Sequence, residues 1–168
     1  MTFYSCGMDI EYTVSGPEGL DIIQPLWEGL REHHAVKAPA FADSLRQKPF
    51  ETRKKELLEK APNGKLKIFL ATDAIEGILA GYCIASVTGD GEGEIDSIFI
   101  EENYRGREIG ERLMQSAVDW LETQASERIL VQVLAGNEEV FEFYRRFGFQ
   151  PRTHMLQQVR TDEPDGHP

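Results

Sequence analysis

Three arginines crowd one short stretch of an otherwise acidic chain. Arg105, Arg107 and Arg112 stand around Gly106 and Gly110, while the whole chain sets 18 Lys and Arg against 29 Asp and Glu, a net charge of −11. A β-rich run, residues 94–100, precedes them, and Ile109, Leu113, Ala117 and Leu121 follow at a spacing of four. That pattern predicts a strand, a glycine-containing arch and a long helix over residues 105–126. The first turn of such a helix leaves N–H groups without partners, and its dipole adds positive potential there. Glycines at 106 and 110 let a backbone come close to a ligand. The chemistry indicated is anion binding, with a pyrophosphate as the natural guest. A P-loop is excluded, since Glu111 and Arg112 follow Gly110 where Lys and Ser or Thr are needed. No window supplies the G-x-G-x-x-G dinucleotide fingerprint.

Other reactive side chains carry less. Glu94 and Asp96 lie two apart on one strand face, which suits either a solvated acidic face or a proton relay. Asp90, Glu92, Glu94 and Asp96 resemble a calcium loop only superficially, because the EF-hand glycine and closing Glu are missing. His33 and His34 close a predicted helix, where a cation is comfortable, and no further metal ligand clusters with them. Cys6 and Cys83 offer no disulfide framework, and Cys83 sits in the apolar run 81–87 as a small core residue. A reducing, cytoplasmic setting is expected.

The elements that must position these groups follow from periodicity. Met8, Ile10, Tyr12 and Val14 alternate as a strand, and Leu20, Ile23, Trp27, Leu30 and His34 form one helix face with Pro25 near its start. Residues 35–40 read as a loop, 49–60 as a second helix opened by Pro49, and Pro62-Asn63-Gly64 as its end. Strands are expected at 66–70, 75–88, 94–100, 129–134 and 152–159, and a short helix at 138–147 stopped by Gly148. Trp27 and Trp120 fit helix core faces. This order predicts an α/β fold with helices on both faces of one sheet. Residues 1–160 should form one domain and 161–168 a disordered tail. No run approaches a membrane span, and no basic segment opens a signal peptide. The acidity argues against nucleic acid as a partner and suits a cationic small substrate.

The run Glu94-Ile95-Asp96-Ser97-Ile98-Phe99-Ile100 with Tyr104-Arg105-Gly106-Arg107-Glu108-Ile109-Gly110 resembles motif A of the GNAT superfamily of N-acetyltransferases. Val131 to Leu134, Asn137 and Phe141-Glu142-Phe143-Tyr144-Arg145-Arg146-Phe147-Gly148-Phe149 resemble its motif B. The resemblance implies a mixed, mostly antiparallel sheet with a central V-shaped splay between two parallel strands. It implies acetyl-CoA as acyl donor and transfer to a primary amine by direct attack in a ternary complex. The backbone at Ile98 and Ile100, flanking Phe99, would pair with the pantetheine arm. Arg105, Gly106, Arg107, Glu108, Ile109, Gly110 and Glu111 would surround the pyrophosphate. Asn137 would bond the pantetheine arm or order a water, and Tyr144 would protonate the leaving thiolate. Asp96, nine residues before the arch arginine, would relay the amine proton, with Glu94 the second choice. One position departs: Glu108 stands where the pattern has its first glycine, which predicts weaker cofactor binding. The acceptor implied is a small-molecule amine, with cationic polyamines or amino sugars favoured by the acidity. Acetylation of a protein N-terminus or lysine and a non-catalytic acyl-CoA sensor are the alternatives. The family also includes homodimers paired through terminal strands.

Overall fold

A meander of four antiparallel strands organises the chain. The computed structural model describes residues 9–61 and 65–159. Strand β1 spans Ile10–Ser15, β2 Leu66–Asp73, β3 Ile78–Val87 and β4 Gly93–Ile100, each pairing antiparallel with the next. Helix α4, Ile109–Thr123, then crosses back so that β5, Ile129–Val131, lies parallel to β4. The sheet order is β1-β2-β3-β4-β5. Between β1 and β2 come a 3-10 turn at Pro17–Ile23 and helices α1 (Gln24–Lys37), α2 (Ala42–Gln47) and α3 (Phe50–Lys60). Helix α5, Phe141–Arg145, follows a 3-10 turn at Glu138–Val140.

Strand alternation sends side chains to two cores. Leu66, Ile68 and Leu70 of β2, with Tyr82 and Ile84 of β3, pack against Leu20, Ile23, Trp27, Phe50 and Leu57. Phe69, Ala71, Cys83 and Ala85 face the other way, onto Leu113, Met114, Ala117 and Leu121 of α4. The expected layering, helices on both faces of a mixed sheet, is therefore present.

One irregularity sets the parity of β4. Ser97 pairs with Ile84 and Ile95 with Ala85, so Asp96 is an extra residue opposite no partner. Such a bulge shifts which residues face each side. Ile95 lies in the α4 core before it, and Ile98 and Ile100 pack there after it, whereas Phe99 joins the α1–α3 core.

Several boundaries differ from the sequence reading. Helix α4 begins at Ile109, not at residue 105, because Gly106 (φ +72°) and Glu108 (φ +60°) take left-handed backbone that a right-handed helix does not admit. Helix α1 runs on to Lys37, through half of the expected loop, and α2 was not expected. Pro49 caps α3 with extended backbone, and Phe50 is the first helical residue. Strand β5 stops at Val131 rather than at residue 134. No strand forms at residues 152–159: this segment is irregular and solvent-exposed, with Met155 and Leu156 among its exposed side chains. Adjacent Met155-Leu156 followed by two glutamines gives no period of two, so a strand there would have no apolar face to bury. Met8, the Pro62-Asn63-Gly64 turn and the 161–168 tail lie outside the described residues.

Candidate active site

The parallel pairing of β4 and β5 covers only Gly93 to Ile95 against Ile129 to Val131. Beyond Ile95 the strands part, and residues 97–100 of β4 pair with β3 alone. Their opposite backbone edge is thus available to an extended ligand, the way a peptide adds to a sheet edge. Two further groups belong to its surroundings, the arch that follows β4 and Tyr144, which packs against the same core as Ile98 and Ile100.

At the far end of β4 stands the arch. Tyr104 is buried, and its hydroxyl donates to Asp73 Oδ2 at 3.1 Å. Asp73 Oδ1 accepts from the N–H groups of Ile75 (3.0 Å) and Glu76 (3.2 Å). Burial alone would raise the Asp73 carboxyl, but these donors and the Arg107 charge outweigh it and hold it below its ordinary value. One carboxylate thus forms the β2–β3 turn and bolts the arch to it. Arg105 turns inward: its Nε donates to Ile100 O at 3.0 Å, and the guanidinium lies 5.2 Å from the Phe99 ring centroid. The first motif arginine therefore closes the strand end.

Beside the arch a groove of about 510 Å³ is lined by Tyr12, Arg107, Glu108, Glu111, Arg112, Gln115 and Phe147. It opens at the N-terminus of α4, where backbone N–H groups lack helical acceptors. Arg112 stacks 4.1 Å from the centroid of Tyr12, and Glu111 pairs with Arg146 at 2.9 Å. Burial raises the Tyr12 phenol, against the pull of Arg112. The pyrophosphate fits this donor set, with Glu108 as the opposing charge. Gly110 is not required by packing here, since a Cβ would meet Ile100 at 3.5 Å and Phe143 at 3.7 Å, ordinary contact distances. Sequence reasoning missed Tyr12, whose only signal was its place on a strand that turns out to lie at the sheet edge.

Tyr144 packs with the α4 core, its ring 5.3 Å from Phe143 and 6.1 Å from Phe149. Burial, and secondarily the Cys83 thiol, holds its phenol well above the usual range. It stays protonated at neutral pH. Cys83 is itself fully buried and pushed up, so it is not a nucleophile. Asn137 is buried, and its Oδ1 lies 3.2 Å from His33 Nε2. His34 does fall in the last turn of α1, but burial there works against its charge. His33 reaches across to Asn137, and burial, then the His33 charge, lowers the His34 pKa. Lys37 ends α1 instead and pairs with Glu139 at 2.6 Å.

Glu94 and Asp96 meet on the α3 side. Lys60 Nζ donates to Glu94 Oε2 at 2.5 Å and to Asp96 Oδ1 at 2.6 Å. Ser86 Oγ donates to Asp96 Oδ2 at 2.5 Å. The Asp96 side chain is 0% exposed and Glu94 is 15% exposed. Of the two, Glu94 keeps access to solvent and Asp96 is enclosed by its partners. Lys60 was missed by sequence reasoning because it lies 34 and 36 residues from them. Among the described residues no His, Cys, Asp or Glu cluster suits a metal, and no helix is long and apolar enough to cross a membrane.

A strand freed from its parallel neighbour, a groove at a helix N-terminus and a half-buried phenol stand together in one fold. The chain belongs to the acetyltransferase (GNAT) family, whose model matches residues 27–149. It is similar to a provisionally assigned ribosomal protein bS18-alanine N-acetyltransferase of Bacillus subtilis, 36% identical over 76 residues, 45% of this chain and 50% of that protein. It is also similar to the Bacillus subtilis spermine/spermidine N(1)-acetyltransferase, 28% identical over 83 residues, 45% of this chain and 55% of that one. The chain spans about half the length of these curated relatives. Among solved structures, the aminoglycoside N-acetyltransferase AAC(6')-Iy in complex with CoA shares the fold with a TM-score of 0.60 at 16% identity, covering 95% of this chain and 99% of that one.

Proposed function

We propose that this protein transfers an acetyl group from acetyl-CoA to the primary amine of a small molecule, by direct attack in a ternary complex. The observation that carries this reading is the release of residues 96–100 of β4 from β5, on a strand whose Ile98 and Ile100 pack against the same core as Tyr144. The backbone of Ile98 and Ile100 would align the pantetheine arm. The N–H groups from Arg105 to Glu111, with Arg107 and Arg112, would take the pyrophosphate, and Asn137, oriented by His33, would bond the arm.

The amine must lose a proton before it attacks. For an alkyl amine of pKa near 10, this costs about 4 kcal/mol at pH 7. We favour Glu94 over Asp96 as the relay, since of the two Glu94 keeps solvent access while sharing Lys60. Asp96 then holds Lys60 and Ser86 in place. An ammonium proton would leave first, through water to Glu94. The neutral nitrogen would then bond the acyl carbon as the carbon–sulfur bond breaks, Tyr144 would give its proton to the departing thiolate, and the second nitrogen proton would pass to water, from which Tyr144 is reprotonated. A protein N-terminus is the second acceptor reading, favoured by the likeness to the ribosomal protein-alanine acetyltransferase. A thiol-release assay with acetyl-CoA against amines, amino acids and short peptides tests both. Turnover with a small amine supports the first reading and turnover with peptides alone the second. Acetyl-CoA binding with no thiol release across the panel refutes catalysis.

A further inference from the structure

One cluster on the α3 side of β4 has no part in the chemistry above. Tyr82 of β3 is fully buried, and its hydroxyl has no hydrogen-bond partner among the described residues. The buried hydroxyl of Ser97 on β4 has none either. The two lie close enough to influence each other. Even where one donates to the other, a second hydroxyl hydrogen is left without an acceptor. A fold that buries such donors loses stability, and strained or unpaired polar groups of this kind mark functional positions.

Arg53 of α3 acts on the same Tyr82 hydroxyl. Its one close bond is from Nη2 to the Asp96 carbonyl, at 3.2 Å. Its carboxylate neighbours stand off, Glu56 at 3.7 Å and Asp96 at 3.8 Å. Both are served at shorter range by others: Glu56 by Lys48 at 2.7 Å, Asp96 by Lys60 and Ser86. The guanidinium therefore keeps donor capacity beyond these contacts. Locally Lys48, Arg53 and Lys60 balance Glu56, Glu94 and Asp96, so the acidity of the whole chain does not extend to this wall. Ser97 immediately precedes Ile98, past the last β4–β5 pair, which puts the cluster next to the gap where the amine must attack.

We propose that Arg53, Tyr82 and Ser97 bind a carboxylate of the acceptor, so that the amine acetylated is one that carries an acid group, of the amino-acid class. A guanidinium with two hydroxyl donors matches a carboxylate and has nothing to offer a second ammonium. This departs from the polyamine or amino-sugar acceptor that net charge suggests. It rests on the acetyl-transfer reading for where the amine points, but not for the carboxylate site itself.

The test is calorimetric titration of the coenzyme A-saturated protein with amino acids and their decarboxylated counterparts, lysine against cadaverine and tyrosine against tyramine. The acid-bearing member of at least one pair should bind about tenfold tighter or more, as charge-assisted bonds imply. Arg53→Gln should erase that preference. Tyr82→Phe should weaken amino-acid binding while leaving the melting temperature unchanged or higher, because it removes an unpaired buried hydroxyl. Ser97→Ala should behave likewise if Arg53→Gln fails to fold. Equal or tighter binding of the decarboxylated amines, no binding by any amino acid, or a Tyr82→Phe protein that melts lower at unchanged affinity would each overturn the proposal. Thiol release from acetyl-CoA with the same compounds keeps the two readings apart. Amino-acid binding without release sinks the transfer reading and leaves the site standing. Release with decarboxylated amines alone sinks the site and leaves the transfer.

Discussion

Replacing Glu108 by glutamine and by glycine separates two costs held at one position. Glu108 caps α4 with φ 60° and ψ 8° and lines the groove beside Arg107 and Arg112. A non-glycine residue in left-handed backbone costs roughly 1–2 kcal/mol. Glycine removes that cost but gives up about 0.5–1 kcal/mol of backbone entropy. Glu108→Gly should therefore unfold about 0.5–1 kcal/mol harder than Glu108→Gln, which keeps the strained φ. Binding should follow charge instead. At a separation of about 6 Å in a water-like dielectric, a carboxylate opposes each phosphate charge by ~0.7 kcal/mol, or ~1.4 kcal/mol for a pyrophosphate. Glutamine and glycine should then both tighten acetyl-CoA binding by up to about tenfold at low salt. Because the residue is exposed, most of the gain should vanish near 1 M salt, where the screening length is about 3 Å. Calorimetry at the two salt concentrations, with denaturant melts of the three proteins, measures both effects. Unchanged affinity in both variants at low salt, or a gain indifferent to salt, refutes the electrostatic account.

Tyr144→Phe should lower kcat by about 10²-fold or more, the usual worth of a positioned acid, with the KM for acetyl-CoA nearly unchanged; steady-state kinetics would show a kcat near wild type if the phenol is only a core residue. Lys60→Met should destabilise the fold by about 1–3 kcal/mol, less than a fully buried pair because Lys60 is 26% exposed, and Lys60→Met combined with Asp96→Asn should recover part of it in denaturant melts. His34 contributes through pH: its folded pKa is lowered by burial, so its share of stability is complete above the unfolded value of about 6.5 and is lost as pH falls through the folded value. His34→Gln should flatten that limb of a melting-temperature profile, and an unchanged slope would exclude the residue as its source.

The parts of this molecule that follow from neighbouring residues could be read in the sequence. Ile109, Leu113, Ala117 and Leu121 form the buried stripe of α4 because spacing four is local information. The expected start of that helix was wrong because positive φ at Glu108 is not written in its residue type; only the departure from the glycine pattern hinted at it. Glu94 and Asp96 were visible as acids two apart, but their inequality was not. It depends on a bulge at Asp96 and on Lys60 arriving from α3. The strand expected at 152–159 assumed a partner that no described residue provides.

The contact between the end of α1 and residues 136–139 has a consequence for how the chain assembles. His33 and Asn137 are 104 residues apart, Lys37 and Glu139 are 102 apart, and a Cβ on Gly136 would come within 2.2 Å of Lys37 O. The hairpins β2–β3 and β3–β4 close with a few residues each. Closing a loop ten times longer costs about 2 kcal/mol more in chain entropy. The β2–β3–β4 hairpins can therefore form first, and the seam between α1 and the 136–139 turn closes last and opens at the least expense. The asparagine proposed to bond the acyl donor and the end of α1 thus belong to one late-closing unit. Local opening would release both together while the sheet stays folded, and amide exchange at Lys37 and Asn137 would share one rate.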